Sequence, residues 1–373
     1  MSNNTTAQMR ILAAAIAGDV PVILWGEPGI AKSAIVETAF TKAGYHVEPV
    51  IASHRDQSDF NGLPIVVDGK VVLSPPRWAT TVNEAPKAIV FLDEFTVAPA
   101  SVQGAALRLL QERWCGETKI ADTVRFILAA NPAECSAGGF DLAAPTANRM
   151  CHIQWQGPSA ETFAQGLVGG WDSVTPDFDG LMIEADENRI ASRKSLVAGY
   201  IMANPSALHN MPESDAEMGS AWASRRSWSN LASMLPYIAD DDHEALLLAA
   251  QGCVGGGGIA FAVWLQNADL PDAREVMANP SSHDWTDSRM DKSFVLLSNV
   301  VTLAVSDGTQ KSYTEAWKVM AECAKQGRGD VAAASVLRLL KSAKPAWGIP
   351  KEAASFGEIL KRAGLLSEIK KVS

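Results

Sequence analysis

Gly26-Glu27-Pro28-Gly29-Ile30-Ala31-Lys32-Ser33 decides how this chain folds. The apolar run Val20-Pro21-Val22-Ile23-Leu24-Trp25 stands directly before it, and Ala34-Ile35-Val36-Glu37-Thr38-Ala39-Phe40 directly after it. Strand, glycine-rich turn, Lys-Ser and helix is the layout of a phosphate-binding loop. In such a loop the backbone, here Gly26, Glu27, Pro28, Gly29, Ile30, Ala31, Lys32, Ser33 and Ala34, wraps the phosphates. Its N–H groups (all but that of Pro28, which has none) face phosphate oxygens, and the helix N-terminus adds the positive end of its dipole. The lysine, here Lys32, reaches the β- and γ-phosphates, and the hydroxyl, here Ser33, ligates Mg²⁺. Ala31 stands where a glycine is usual. At the start of a helix an alanine is expected to be tolerated.

Outward from the loop, residues 1–155 alternate between strand-like and helix-like segments. Strands are expected at 20–25, 46–52, 88–92, 124–130 and 150–155, and helices at 7–17 (capped near Asn4 or Thr5), 32–43 and 102–112. Continuous apolar strands separated by helices indicate a parallel sheet covered on both faces. Asp68-Gly69 between two valine-rich runs signals a hairpin inserted between the second and third strands. A second hairpin is expected within 113–126, turning near Gly116.

After about residue 160 the strand pattern gives way to helical periodicity, at 192–202, 229–237, 243–250, 292–304, 313–324 and 331–340. The run Gly252-Cys253-Val254-Gly255-Gly256-Gly257-Gly258 reads as a break, either a flexible turn or a close helix contact. The chain shows no strong internal repeat.

Composition bounds the function. The chain has 373 residues, enough for two or three domains. Hydrophobic residues make up 47% and charged residues 20%, as in an ordinary globular protein. A net charge of -10 disfavours general nucleic-acid binding. The cysteines, Cys115, Cys135, Cys151, Cys253 and Cys323, are scattered and odd in number, which fits reduced thiols in the cytoplasm. The apolar run at 11–17 is too short to span a bilayer.

Further residues join the loop. Ile89-Val90-Phe91-Leu92-Asp93-Glu94 is an apolar strand ending in two carboxylates, at the sheet edge where open α/β sheets bind ligands. Asp93 is placed to hold Mg²⁺ together with Ser33. Glu94 is placed to act as general base toward water, a role worth about 10²–10⁴-fold in rate. Phe126-Ile127-Leu128-Ala129-Ala130 ends in Asn131-Pro132, and Asn131 would hydrogen-bond the γ-phosphate or the attacking water. Arg149, before the last strand, is a candidate arginine finger, worth on the order of 10³–10⁵ when offered to a neighbour's γ-phosphate. Arg226, or Arg225 beside it, would reach the nucleotide from the helical part.

In this order the loop, Asp93-Glu94, Asn131, Arg149 and Arg226 resemble the Walker A, Walker B, sensor 1, arginine finger and sensor 2 of an AAA+ ATPase. Ala31 before Lys32, Asp59-Phe60-Asn61-Gly62 before the first hairpin, and Leu109-Leu110-Gln111-Glu112-Arg113 before the second resemble the MoxR and magnesium-chelatase branch. The resemblance covers roughly residues 5–235. Asn148 departs from it, standing where the family usually has an acid, and Ser224-Arg225-Arg226 favours Arg226 over Arg225 as sensor 2.

The resemblance implies an α/β fold, an αβα P-loop core with a parallel five-stranded sheet in the order 5-1-4-3-2. The core would span 1–158, a helical lid 159–270 and a helical extension 271–373. It implies ATP and Mg²⁺ as cofactors and a homo-oligomeric ring, most simply a hexamer, with Arg149 acting in trans. Hydrolysis would swing lid against core to remodel a protein client or a von Willebrand factor A-domain partner in the cytoplasm, away from any membrane. A small-molecule kinase does not need the Asp93-Glu94 pair with a finger in trans. A GTPase would carry an Asn-Lys-x-Asp motif, which the chain lacks. A DNA motor is disfavoured by charge. A nucleotide-gated scaffold with little turnover is the rival outside catalysis, and Glu94 argues against it.

Overall fold

The computed structural model describes residues 3–132, 135, 142–287, 289–348, 350–357 and 361. The chain forms two compact units, one of residues 1–184 with 208–263, the other of 185–207 with 264–373. Contacts therefore group 208–263 with the phosphate-binding loop and the sheet.

The first unit begins with α1 (Asn3–Ala17), β1 (Val22–Trp25), α2 (Lys32–Lys42) and β2 (His46–Ile51). Then come α3 (Ser58–Asn61), the hairpin β3 (Leu63–Val67) and β4 (Lys70–Ser74), α4 (Arg77–Glu84) and β5 (Ala88–Asp93). They are followed by α5 (Ala100–Glu112), the hairpin β6 (Trp114–Cys115) and β7 (Thr118–Lys119), and β8 (Val124–Ala130). The unit continues through α6 (Ala144–Ala147), β9 (Cys151–Gln154) and α7 (Ala160–Gly169). Five strands form one parallel sheet, β2-β5-β8-β1-β9. Numbered along the chain without the hairpins, that order is 5-1-4-3-2 read from the β9 edge.

Alternation along the strands explains why both faces are covered. Ile23, Val90, Leu92, Phe126 and Leu128 share one buried cluster with Trp78 and Val82 of α4 and with Val102, Ala106 and Leu109 of α5. Residues of the opposite parity, Val22, Leu24, Ile89, Phe91 and Ile127, are also fully or almost fully buried. Register places Ile51 opposite Asp93, Leu92 opposite Leu128, and Trp25 opposite both Ala130 and Gln154. The residues that follow β1, β5 and β8 therefore emerge side by side at one sheet edge.

The unit is completed by helices from further along the chain. After α8 (Glu187–Ala203), which belongs to the second unit, come α9 (Asp215–Met218), α10 (Arg225–Met234), α11 (His243–Val254) and α12 (Gly256–Gln266). The glycine run is helical on both sides of a single reversal at Gly255, whose φ is +64°. A Cβ built on Gly252 would collide with the His152 carbonyl, and one on Gly255 with the Ala221 carbonyl. Of the two readings of this stretch, close helix contact fits. The missing side chains let α11 lie directly on β9.

The second unit holds α8 with α13 (Ala273–Ala278), α14 (Met290–Asp307), α15 (Gln310–Lys325) and α16 (Gly329–Lys341). Trp285, Leu297, Tyr313, Trp317, Val336 and Phe356 fill its core. A Cβ on Gly199 would crowd Val295, so α8 and α14 pack at close range. Among the described residues no helix is long and apolar enough to cross a membrane.

Two expectations change in extent. The second hairpin pairs only Trp114 with Lys119 and Cys115 with Thr118, and Phe126 belongs to the central sheet. Helix α1 starts at Asn3, before the expected cap. The helices α4 and α7 lie outside the expected set, and Phe163, Leu167 and Val168 of α7 are exposed. Gly166 is the one buried residue of α7, lying against the Trp171 ring.

Candidate active site

The loop after β1 folds back on its own lysine. Lys32 Nζ donates to the Gly26 carbonyl at 2.7 Å, to the Glu27 carbonyl at 3.0 Å and to Asn131 Oδ1 at 3.0 Å. All three ammonium protons are used, and the side chain is 8% exposed. Burial lowers the Lys32 pKa, while the Asp93 carboxylate opposes that shift. The nearby carboxylate thus favours the charged form that phosphate oxygens require.

Beside it, Ser33 Oγ donates to Asp93 Oδ2 at 2.6 Å. A hydroxyl in the first turn of α2 and a carboxylate at the end of β5 offer oxygen ligands, the chemistry Mg²⁺ prefers. Among the described residues no cluster of three or more His, Cys, Asp or Glu side chains could hold a metal ion, so a cation here would draw its remaining ligands from phosphate and water. Gly29 takes a φ of +82° with no atom within 4 Å of a built Cβ, and this leaves an open cradle over the loop. The residues present fit a nucleoside triphosphate with its divalent cation.

Glu94 follows Asp93 in the left-handed region, with φ 55° and ψ 36°. Strain of that kind gathers at functional sites, where the surrounding structure over-determines the backbone. The Glu94 amide donates to Asp93 Oδ1 at 2.9 Å, and the Glu94 carboxylate accepts a hydrogen bond from Ser53 Oγ. Ser53 lies just past β2, in the 3-10 turn Ala52–His54. Sequence reading missed it. The signal was the strand order, because β2 beside β5 brings the first polar side chain after β2 opposite Glu94.

Asn131 closes the strand-end set through its bond to Lys32, and its carbonyl lies 3.5 Å from the buried Thr96 hydroxyl. A cavity of about 530 Å³ adjoins Trp25 and Asn131 and is lined further by Gln8, His152, Gln156 and Gln251. Trp25 Nε1 donates to His152 Nδ1 at 3.0 Å, and His152 Nε2 donates to the Ala147 carbonyl at 2.9 Å. Burial holds the His152 pKa down to about 4, so the imidazole is neutral near pH 7.

Arg149 and Arg226 form a separate pair. Arg149 donates to the Pro145 carbonyl, and its Nε is buried without a partner. Burial first, and the nearby Arg226 second, lower the Arg149 pKa. Arg226 is thus the charged neighbour of Arg149.

Residues 21–150 match the family model described as an AAA domain of the dynein-related subfamily. That segment contains the strands β1 to β8 and the loop with Lys32 and Ser33, and its fold is a P-loop α/β core. Over a larger span the chain is similar to the crystal structure of a "putative ATPase" from Cytophaga hutchinsonii, with 17% identity, 70% of this chain and 80% of that one covered, and a TM-score of 0.40. No curated protein matches the chain.

Within the Gly26–Ser33 loop, one expectation is corrected. Ala31 is not an ordinary helix-start residue, because it caps α2 with φ 65° and ψ 30°, in the left-handed region. An alanine there carries a cost of roughly 1–2 kcal/mol.

Proposed function

We propose that the chain is a ring-forming ATP hydrolase of MoxR type that couples hydrolysis to remodelling or activating a protein partner. One observation carries the reading. Three neighbouring strand ends join Lys32 to Asn131 and Ser33 to Asp93, with the Glu94 carboxylate one residue further on. That set contains a phosphate cation, oxygen ligands for Mg²⁺ and a base for water.

ATP with Mg²⁺ would supply the phosphoanhydride bond and the electrophilic phosphorus. Lys32 would exchange its loop carbonyls for phosphate oxygens. Ser33 and Asp93 would hold the cation, and Asn131 would orient the terminal phosphate or the water. Glu94 would take the proton from that water. The cavity beside Trp25 has the size of a small-ligand pocket and is where we place the nucleoside end. Arg149 would serve a neighbouring copy, which makes a closed ring the working assembly, a hexamer by family resemblance. The same resemblance points to a von Willebrand factor A-domain partner and a cytoplasmic setting.

A second reading, an ATP-gated scaffold of low turnover, draws on the Ser53–Glu94 bond, which occupies the base. Glu94→Gln separates the two. The hydrolase predicts unchanged binding of a fluorescent ATP analogue and turnover cut by about a hundredfold or more. Near-wild-type turnover in the variant would overturn the base assignment. A wild-type protein that assembles with ATP by light scattering, yet hydrolyses no faster than Glu94→Gln, would favour the scaffold.

A further inference from the structure

The turn before β9 is tied to α10 by a network of buried neutral groups. Asn148 Nδ2 donates to the Trp222 carbonyl at 2.9 Å, and Asn148 Oδ1 accepts from Ser224 Oγ. Ser224 is the N-cap of α10 and forms a reciprocal capping box with Ser227. Ser227 Oγ donates in turn to the Trp222 carbonyl at 2.9 Å. From the second turn of the helix, Asn230 Nδ2 donates to the Arg149 carbonyl at 3.1 Å. Asn148, Ser224 and Ser227 are 5%, 6% and 1% exposed.

A buried polar network in which each member is satisfied fixes one geometry, since breaking any bond strands its partner away from water. Here it holds two cationic residues. Arg149 is bonded directly to the network through its carbonyl, and Arg226 is the second residue of the helix that Ser224 caps. Like charges brought together by neutral ties form a site prepared for an anion. The unpartnered Arg149 Nε is a donor that the fold has left unspent.

We propose that Asn148 and Ser224 are positioning residues that lock Arg149 and Arg226 into one two-cation clamp for the terminal phosphate of a nucleoside triphosphate. The proposal rests on the reading of Arg149 as a phosphate-contacting residue. It gives Asn148, the departure from the family pattern, a defined task. A neutral amide donates to one carbonyl and accepts from one hydroxyl, whereas an acid in its place would only accept and would neutralise the clamp.

The test is a cycle of Asn148→Ala, Arg226→Ala and the double variant in the full-length chain, read by steady-state ATP turnover and by affinity for a fluorescent ATP analogue. Asn148→Ala lowers kcat about tenfold or more, the usual scale for a misplaced contact group. Affinity at the Lys32 loop stays within about twofold, because that loop lies outside the network. The double variant loses less than the product of the two single losses, since part of the Asn148 effect runs through Arg226. Losses that multiply would show that Asn148 acts elsewhere and would overturn the proposal. Ser224→Thr keeps the hydroxyl and retains activity, whereas Ser224→Ala follows Asn148→Ala. If Ser224→Thr fails as badly as Ser224→Ala, or if kcat falls only with the folded fraction in thermal melts, the role is merely structural. The parent reading fails separately, if Arg149→Ala keeps wild-type turnover. If Arg149→Ala is inactive and Arg226→Ala is not, the finger stands and the clamp falls.

Discussion

The sheet edge of the first unit and the helical core of the second spend burial in opposite ways. The edge buries Lys32 and Thr96, and the turn before β9 and the cap of α10 bury Asn148 and Ser224, polar groups that contribute little to stability and a good deal to geometry. The second unit buries Trp285, Tyr313, Trp317 and Phe356 among leucines and valines. Charge divides the same way. The first unit has 14 Lys and Arg against 27 Asp and Glu, the second 18 against 15, so the candidate phosphate site sits in the acidic unit. Attraction of a nucleotide there owes nothing to the surrounding field. It has to come from Lys32, from loop amides and from the helix terminus at contact range. One region is built to hold a few groups in place, the other to stay folded.

Trp317→Ala tests that separation with the largest expected effect. The side chain is fully buried in the second unit, and its Nε1 has no partner. Truncation should cost about 3–5 kcal/mol in chemical denaturation. Binding of a fluorescent ATP analogue in buffer should remain within about twofold, because every residue of the site lies in the first unit. A variant that loses binding in step with its denaturation midpoint would break the comparison, since the two units would then be one cooperative body.

A smaller effect sharpens the account of the first unit. His152 donates to the Ala147 carbonyl and accepts from Trp25, a bridge that needs the neutral ring. Its pKa is about 4 in the fold against an ordinary value of 6.5. Between those values the unfolded chain binds more protons than the native one. The contribution of this group is therefore complete above pH 6.5 and is lost as pH falls toward 4. The melting temperature of the first unit should drop between pH 7 and pH 4.5, and His152→Gln should flatten that dependence. An unchanged slope in the variant would assign the acid sensitivity to other groups.

These residues also show what could be read from the chain. Lys32, Ser33, Asp93 and Asn131 were legible because each ends or follows an apolar strand, and strand ends of a parallel sheet converge by topology alone. Their bonds, Lys32 to Asn131 and Ser33 to Asp93, follow once the register is set. Ser53, Trp25 and His152 were not legible. Their partners lie 41 and 127 residues away, and nothing in the local sequence distinguishes them from ordinary polar or core positions. The glycine run was legible only as a choice between a flexible turn and a close helix contact. Glycine reads as a breaker when propensity is all that is known, yet here Gly252 and Gly256 to Gly258 are helical, and at Gly252 the missing Cβ admits β9. Arg149 and Arg226 were each legible as cations near strand and helix ends. Their pairing was not, because it depends on Asn148 and Ser224 meeting across 76 residues.

The smallest effect concerns Ala31, where the loop imposes a left-handed backbone on a residue with a Cβ. Ala31→Gly removes the left-handed cost of roughly 1–2 kcal/mol. It also frees the unfolded chain, which returns about 0.4–1 kcal/mol of the gain. The net should be a stabilisation no larger than about 1.5 kcal/mol, seen as a small rise in denaturation midpoint, with ATP affinity shifted less than about threefold. Ala31→Val should behave in the opposite way, because a β-branched residue tolerates positive φ far less well. Nucleotide affinity should fall more than stability does, since the strained segment is the one that aims the amides. If Ala31→Gly is instead the destabilising change, the methyl group packs against something that outweighs its strain, and the loop is shaped by contact as well as by backbone.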